Sequence, residues 1–131
     1  MDIPARGRLQ ARIKWLMADK SKGYDDIVAS RQKVYQQAGF VAAMSDIMAL
    51  QDPQIRARNL LVPAEYGAIT APTLVLWTSD DPTADVSEGR RISEMIPGAR
   101  FEVMSGCGHW PQYEDPKTFN RLHLDFLLGR A

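Results

Sequence analysis

The sequence is poor in cysteine, in net charge and in long apolar runs, and each shortage excludes something. Cys107 is the single cysteine among 131 residues, so an internal disulfide and a cysteine-based zinc site are both ruled out. Sixteen Lys and Arg offset sixteen Asp and Glu. A chain without basic excess has no electrostatic footprint for nucleic acid, and it carries no basic amphipathic block for a membrane surface. No apolar run approaches the roughly 18 residues of a membrane span, and the polar opening "MDIPARGRLQ" is unlike a signal peptide. The expectation is a cytoplasmic protein with no nucleic-acid or membrane partner. With two histidines and no clustered ligand motif, no metal site is expected either. A glycine-rich phosphate loop, an internal repeat and a low-complexity segment are also missing.

What remains is an ordinary globular balance, 45% hydrophobic and 24% charged, at a length normal for one domain. Its two parts differ in character. From residue 6 to about 70 the pattern is helical. Leu9, Ile13, Leu16 and Met17 form one apolar stripe. "SKGYDD" breaks that helix, and Asp25 or Asp26 is placed to cap the next, in which Ile27, Val34, Tyr35 and Ala38 share a face. A third helix is expected from about Phe40 to Leu50, with Met44, Ile47 and Met48 inward. Asp52 then caps a fourth, with Pro53 at its first position, where a missing N–H costs nothing.

The second part alternates. "TLVLW" (73–77) is a continuous apolar run, the pattern of a strand buried on both faces. "SEGRRISEMI" (87–96) reads as a helix stopped by "PG", and "RFEVM" (100–104) as a second strand. "SGCGHWPQY" (105–113) reads as a loop. Asp115 caps a last helix from Pro116 to about Leu128, with Phe119, Leu122, Phe126 and Leu127 inward. Strand, helix, strand, helix in this order implies parallel strands joined by right-handed crossovers. Two strands alone do not make a stable parallel sheet, so further strands are expected from outside these residues.

Loops at the carboxyl ends of parallel strands are where such proteins place their sites. The first such loop, "TSDDPTAD", holds Asp80, Asp81 and Asp85; the second holds His109. Neighbouring parallel strands bring the two loops together, so a carboxylate there can orient the imidazole and stabilise it once protonated. Taken alone, the three aspartates would read as helix caps and turn solvation. Arg31 shares a helix face with Ile27 and Val34, where a charge is costly unless paired. It either pairs within its own protein, snorkels, or offers its fork to a substrate carboxylate. Cys107 reads as an inert buried thiol and His123 as a structural or surface histidine.

The stretch "APTLVLWTSDDPT…GRRISEMIPGARFEVMSGCGHWPQYEDPKTFNRLHLDFLLGR" resembles the C-terminal half of an α/β-hydrolase. More narrowly, "CGHW…E.P..FNRL..DFL" is similar to the carbon–carbon bond hydrolases that cleave meta-ring-fission products of aromatic degradation. The helical part, with "IKWLM" and "LQDPQIRARNLL", resembles that family's cap. The resemblance implies an α/β chain with a partial α/β-hydrolase fold: a helical cap segment and return to the sheet over residues 1–70, then the last two parallel β/α units over 71–131. It implies a Ser-Asp-His triad with His109 as base and Asp81 as acid. Thr78 replaces a glycine usual in that turn, so Asp80 stays open as the alternative. Arg31 aligns with a cap arginine that holds the substrate carboxylate, and Trp110 with a wall of the pocket. No cofactor is implied.

The triad's serine belongs on a Gly-x-Ser-x-Gly elbow. None of Ser21, Ser30, Ser45, Ser79, Ser87, Ser93 and Ser105 has glycine at both −2 and +2. The nucleophile and oxyanion hole are therefore expected outside this chain. The substrate implied is a small acid of the 2-hydroxy-6-oxo-dienoate type. The alternatives are an ester or acyl hydrolase of the same fold, or a non-catalytic truncated fragment. Such a fragment would need a complementing N-terminal half, or would assemble with itself through strand edges.

Overall fold

The computed structural model describes residues 4–130. They form two compact units, residues 4–13 with 23–62 and residues 14–22 with 63–130.

The first unit is helical. Helix α1 (Arg6–Leu16) passes into the second unit after Ile13, and all four stripe residues, Leu9, Ile13, Leu16 and Met17, are buried. Helix α2 (Asp25–Tyr35) is not capped by an aspartate. Its N-cap is Tyr24, in the left-handed region at φ 55°, and Asp25 and Asp26 occupy the first turn. There they favour the positive end of the helix dipole. Asp25 also accepts from the Arg6 guanidinium at 2.6 Å, while Arg6 donates to Gln32 at 2.9 Å. The buried residues of α2 are Ile27 and Val28; Val34 is exposed and Ala38 lies beyond the helix end.

Helix α3 (Phe40–Met48) runs into a 3₁₀ turn (Ala49–Gln51). Ile47, expected inward, is 56% exposed, and nothing in the structure explains that orientation. Helix α4 (Pro53–Asn59) begins as its sequence dictates, with Asp52 accepting from the N–H groups of Gln54 and Ile55 at 2.9 and 3.1 Å.

The second unit carries α5 (Pro63–Gly67), β1 (Leu74–Thr78), α6 (Val86–Met95), β2 (Arg100–Met104), α7 (Pro111–Glu114) and α8 (Pro116–Leu127). Strands β1 and β2 pair in parallel, from Leu74 opposite Arg100 to Thr78 opposite Met104. Val75, Thr78 and Met104 are buried and the other strand residues half-buried. That is less cover than the apolar run of β1 leads one to expect, because the sheet has two strands among the described residues.

Asp85 caps α6 by accepting from Ser87 N–H at 2.8 Å. Gly98, at φ 70°, turns the chain after the helix. Helix α6 packs directly on an indole: a Cβ added at Gly89 would fall 2.5 Å from the Trp77 ring. Met104, Cys107 and Leu122 form a core cluster, with Leu76 and Phe119 against it. Asp115 caps α8 through Thr118 N–H at 3.1 Å. Leu127, expected inward, is 74% exposed. Five residues from the buried Leu122, it lies about 140° round the helix.

Candidate active site

The loops leaving β1 and β2 are stitched together at their roots. Ser79 N–H donates to Met104 O at 3.1 Å and Asp80 N–H to Cys107 O at 3.0 Å. Gly106 N–H donates to the Ser79 hydroxyl at 2.8 Å, and that hydroxyl donates to Asp80 Oδ2 at 2.6 Å. Asp80 is thus engaged by its own neighbour. The carboxylate that meets the imidazole is Asp81, with Oδ2 2.8 Å from His109 Nδ1.

Proton counting places a proton on Nδ1. Asp81 Oδ1 accepts both the N–H and the O–H of Thr83, at 2.8 and 2.7 Å. The Thr83 hydroxyl has one proton and spends it there. The contact of 3.2 Å between Thr83 Oγ1 and His109 Nδ1 therefore needs a proton on the ring, and so does the contact with the ionised Asp81. Nδ1–H satisfies both acceptors, and in the neutral ring this tautomer leaves the Nε2 lone pair free to take a proton. Burial opposes ionisation of Asp81. The Thr83 hydroxyl, the Thr83 amide and His109 outweigh it and hold the carboxyl below its ordinary value of 3.8. The side chain of Asp81 is 13% exposed and that of His109 40%, so the acid is the sheltered partner and the base the open one.

The loop carrying His109 is tied to residues 16–18. His109 N–H donates to Leu16 O at 2.8 Å. The half-buried Glu114 accepts from two segments at once, Gly108 N–H at 2.7 Å and Ala18 N–H at 2.6 Å. The approach is so close that a Cβ at Gly108 would fall 2.4 Å from Leu16 O, which makes glycine obligatory there. Beside the pair lies a cleft of about 170 Å³ lined by Leu76, Trp77, Thr78, Asp81, His109 and Pro111. A histidine oriented by a carboxylate at the edge of a cleft is equipped for general acid–base catalysis.

The structure brings Asp81 and His109 together. Trp110 follows the histidine, half-buried, with its carbonyl accepting from Tyr113 and Glu114 at the start of α7. Arg31 lies on α2 in the first unit and is exposed, so the burial cost that singled it out in the sequence does not arise. Asp85 is a helix cap. Cys107 is buried, and burial followed by the charges of Glu114, Asp115 and Asp80 pushes its thiol up from the ordinary 9.0. His123 stacks on Phe119, 4.1 Å between centroids, with Nδ1 2.7 Å from Phe119 O. Sequence reasoning missed Thr83 and Glu114. Among the described residues, no group of three or more His, Cys, Asp and Glu is placed to hold a metal ion, and no helix is long and apolar enough to cross a membrane.

A family model described as the alpha/beta hydrolase family matches residues 2–122. A 2-hydroxy-6-oxononadienedioate/2-hydroxy-6-oxononatrienedioate hydrolase of Cupriavidus pinatubonensis is 48% identical over 64 residues, 49% of this chain and 22% of that protein. A 2-hydroxy-6-oxo-6-phenylhexa-2,4-dienoate hydrolase of Burkholderia cepacia is 42% identical over 68 residues, 52% of this chain and 24% of that protein. Among solved structures, a meta-cleavage product hydrolase of Pseudomonas fluorescens superposes with a TM-score of 0.83 at 23% identity, over 99% of this chain and 48% of that one. The match thus spans under a quarter of these curated relatives' length and about half of that solved chain.

Proposed function

The chain belongs to the alpha/beta hydrolase family, and on that premise we propose that it is the acid–base part of a carbon–carbon bond hydrolase. Its substrate class is the 2-hydroxy-6-oxo-dienoate acids produced by ring fission of aromatic compounds. The observation that carries the reading is the 2.8 Å bond between His109 Nδ1 and Asp81 Oδ2 beside a cleft. The named activities of the relatives supply the substrate class.

In this reading His109 moves protons through Nε2, Asp81 holds the ring and stabilises the imidazolium, and Trp110 walls the pocket. Residues 1–70 act as the cap and return to the sheet, and Arg31 binds the substrate carboxylate through its fork. Residues 71–131 supply the end of the core. The serine that attacks the substrate or positions water comes from a segment outside these 131 residues, since no serine here stands in a Gly-x-Ser-x-Gly elbow. The same absence favours a second reading, a non-catalytic fragment. In this reading the protein works in the cytoplasm, a reducing compartment with which its single cysteine is compatible.

The test is complementation. The chain alone is expected to leave a chromogenic ring-fission product unchanged, because a triad without its nucleophile and oxyanion hole loses nearly all its rate. Mixed with the serine-bearing N-terminal half of a relative, it is expected to restore turnover. His109→Ala abolishes that turnover, and Arg31→Ala raises KM for the acid. Turnover by the chain alone refutes the division of the triad, and no turnover from the mixture supports the non-catalytic fragment.

A further inference from the structure

We propose that Thr83 is a positioning residue for the His109–Asp81 pair, its hydroxyl deciding which carboxylate oxygen faces the ring. The torsion about the Cβ–Cγ bond of an aspartate is broad and roughly two-fold, so a carboxylate held at one point swings. Here Oδ1 is held twice, by the amide of Thr83 at 2.8 Å and by its hydroxyl at 2.7 Å. Oδ2 is then left to His109 alone. The hydroxyl does a second thing: its oxygen lies 3.2 Å from Nδ1, where it accepts a share of the same ring proton and limits rotation of the imidazole. Thr83 is exposed, so packing does not account for its placement. The amide would be present with any residue but proline, whereas the hydroxyl is specific to Thr or Ser.

The proposal rests on the reading of His109 and Asp81 as an acid–base pair, and it is tested on the chain as it stands. The protein has two histidines, so both imidazoles can be followed by nitrogen and proton NMR, with His123 reporting on the intact fold. The wild-type chain is expected to show a protected Nδ1 proton on His109, which Asp81→Asn removes. In Thr83→Val, nearly isosteric and without the hydroxyl, exchange of that proton with solvent is expected to be at least about tenfold faster, the low end of the worth of one hydrogen bond to a charged group. Thr83→Ser restores the wild-type rate, and His123 is unchanged throughout. If valine disturbs His123, Thr83→Ala against Thr83→Ser carries the comparison. A wild-type exchange rate in Thr83→Val, or in Thr83→Ala where alanine carries the comparison, overturns the positioning role and leaves the pair standing. A wild-type chain with no protected Nδ1 proton overturns the pair itself.

Discussion

Removing the carboxylate of Glu114 should loosen the histidine loop more than any other single change on α7. Its two oxygens accept from Ala18 N–H at 2.6 Å and Gly108 N–H at 2.7 Å. One side chain thereby ties the histidine loop to Ala18, 96 residues from Glu114 in sequence. Hydrogen bonds to a charged acceptor contribute about 1.5–3 kcal/mol each. Both sites are only partly buried and share one carboxylate, so water recovers part of the loss and the two do not add in full. The expected cost of Glu114→Ala is about 3 kcal/mol, which for a chain of this size lowers Tm by about 10 °C. Glu114→Gln should not rescue it. An amide offers one acceptor oxygen and turns its NH₂ toward the second N–H, so about 2 kcal/mol is still lost. Urea unfolding followed by tryptophan fluorescence measures the totals. Amide hydrogen exchange at Ala18 and Gly108 localises them, and Glu94→Ala, on the exposed side of α6, is a control expected within about 0.5 kcal/mol of wild type. A Glu114→Ala chain as stable as that control, or a glutamine variant as stable as wild type, would refute the bracing role.

Gly89→Ala drives a methyl to 2.5 Å from the Trp77 ring. It should cost about 1–3 kcal/mol by overpacking, read from the urea midpoint; a gain in stability from the better helix former would refute the close approach. The folded carboxyl of Asp81 is held below 3.8. Its contribution is therefore fully present above the ordinary carboxylate range and is lost as pH falls through the lower folded value. Followed from about pH 5 downward, the stability difference between the wild-type chain and Asp81→Asn should shrink below about pH 4. A difference that grows on acidification would reverse the sign of the shift.

The parts of the fold legible in the sequence were those fixed by local chemistry. Asp52 before Pro53, and Asp115 before Pro116, announced helix starts because a carboxylate at that position reaches N–H groups two or three residues on. The parallel pairing of β1 with β2 followed from a helix between two apolar runs. The start of α2 misled for an equally local reason. Asp25 and Asp26 suit both an N-cap and a first turn, and Tyr24 in the left-handed region placed them in the turn. The orientations of Val34 and Leu127 were not legible, since an apolar residue at helical spacing is inward only if something covers it.

The candidate site divides along the same line, and the division bears on how it is built. Asp81 and Thr83 are two residues apart, a spacing at which carboxylate and hydroxyl bond locally; "DPT" held that signal, and it could have been read. Glu114 held none, because its partner Ala18 lies near the other end of the chain and only the folded backbone brings them together. The pair thus draws on two kinds of support. Local bonds set the rotation of the carboxylate, and the long-range brace through Glu114, with the close approach at Gly108, sets where the histidine loop stands. All of these contacts lie within residues 14–22 and 63–130. The contacts that set the geometry of the acid–base pair are therefore drawn from one unit of this chain, and none of them is made to the nucleophile. If that is so, Nδ1 protection at His109 should be the same before and after a serine-bearing half is added, while turnover goes from nothing to measurable.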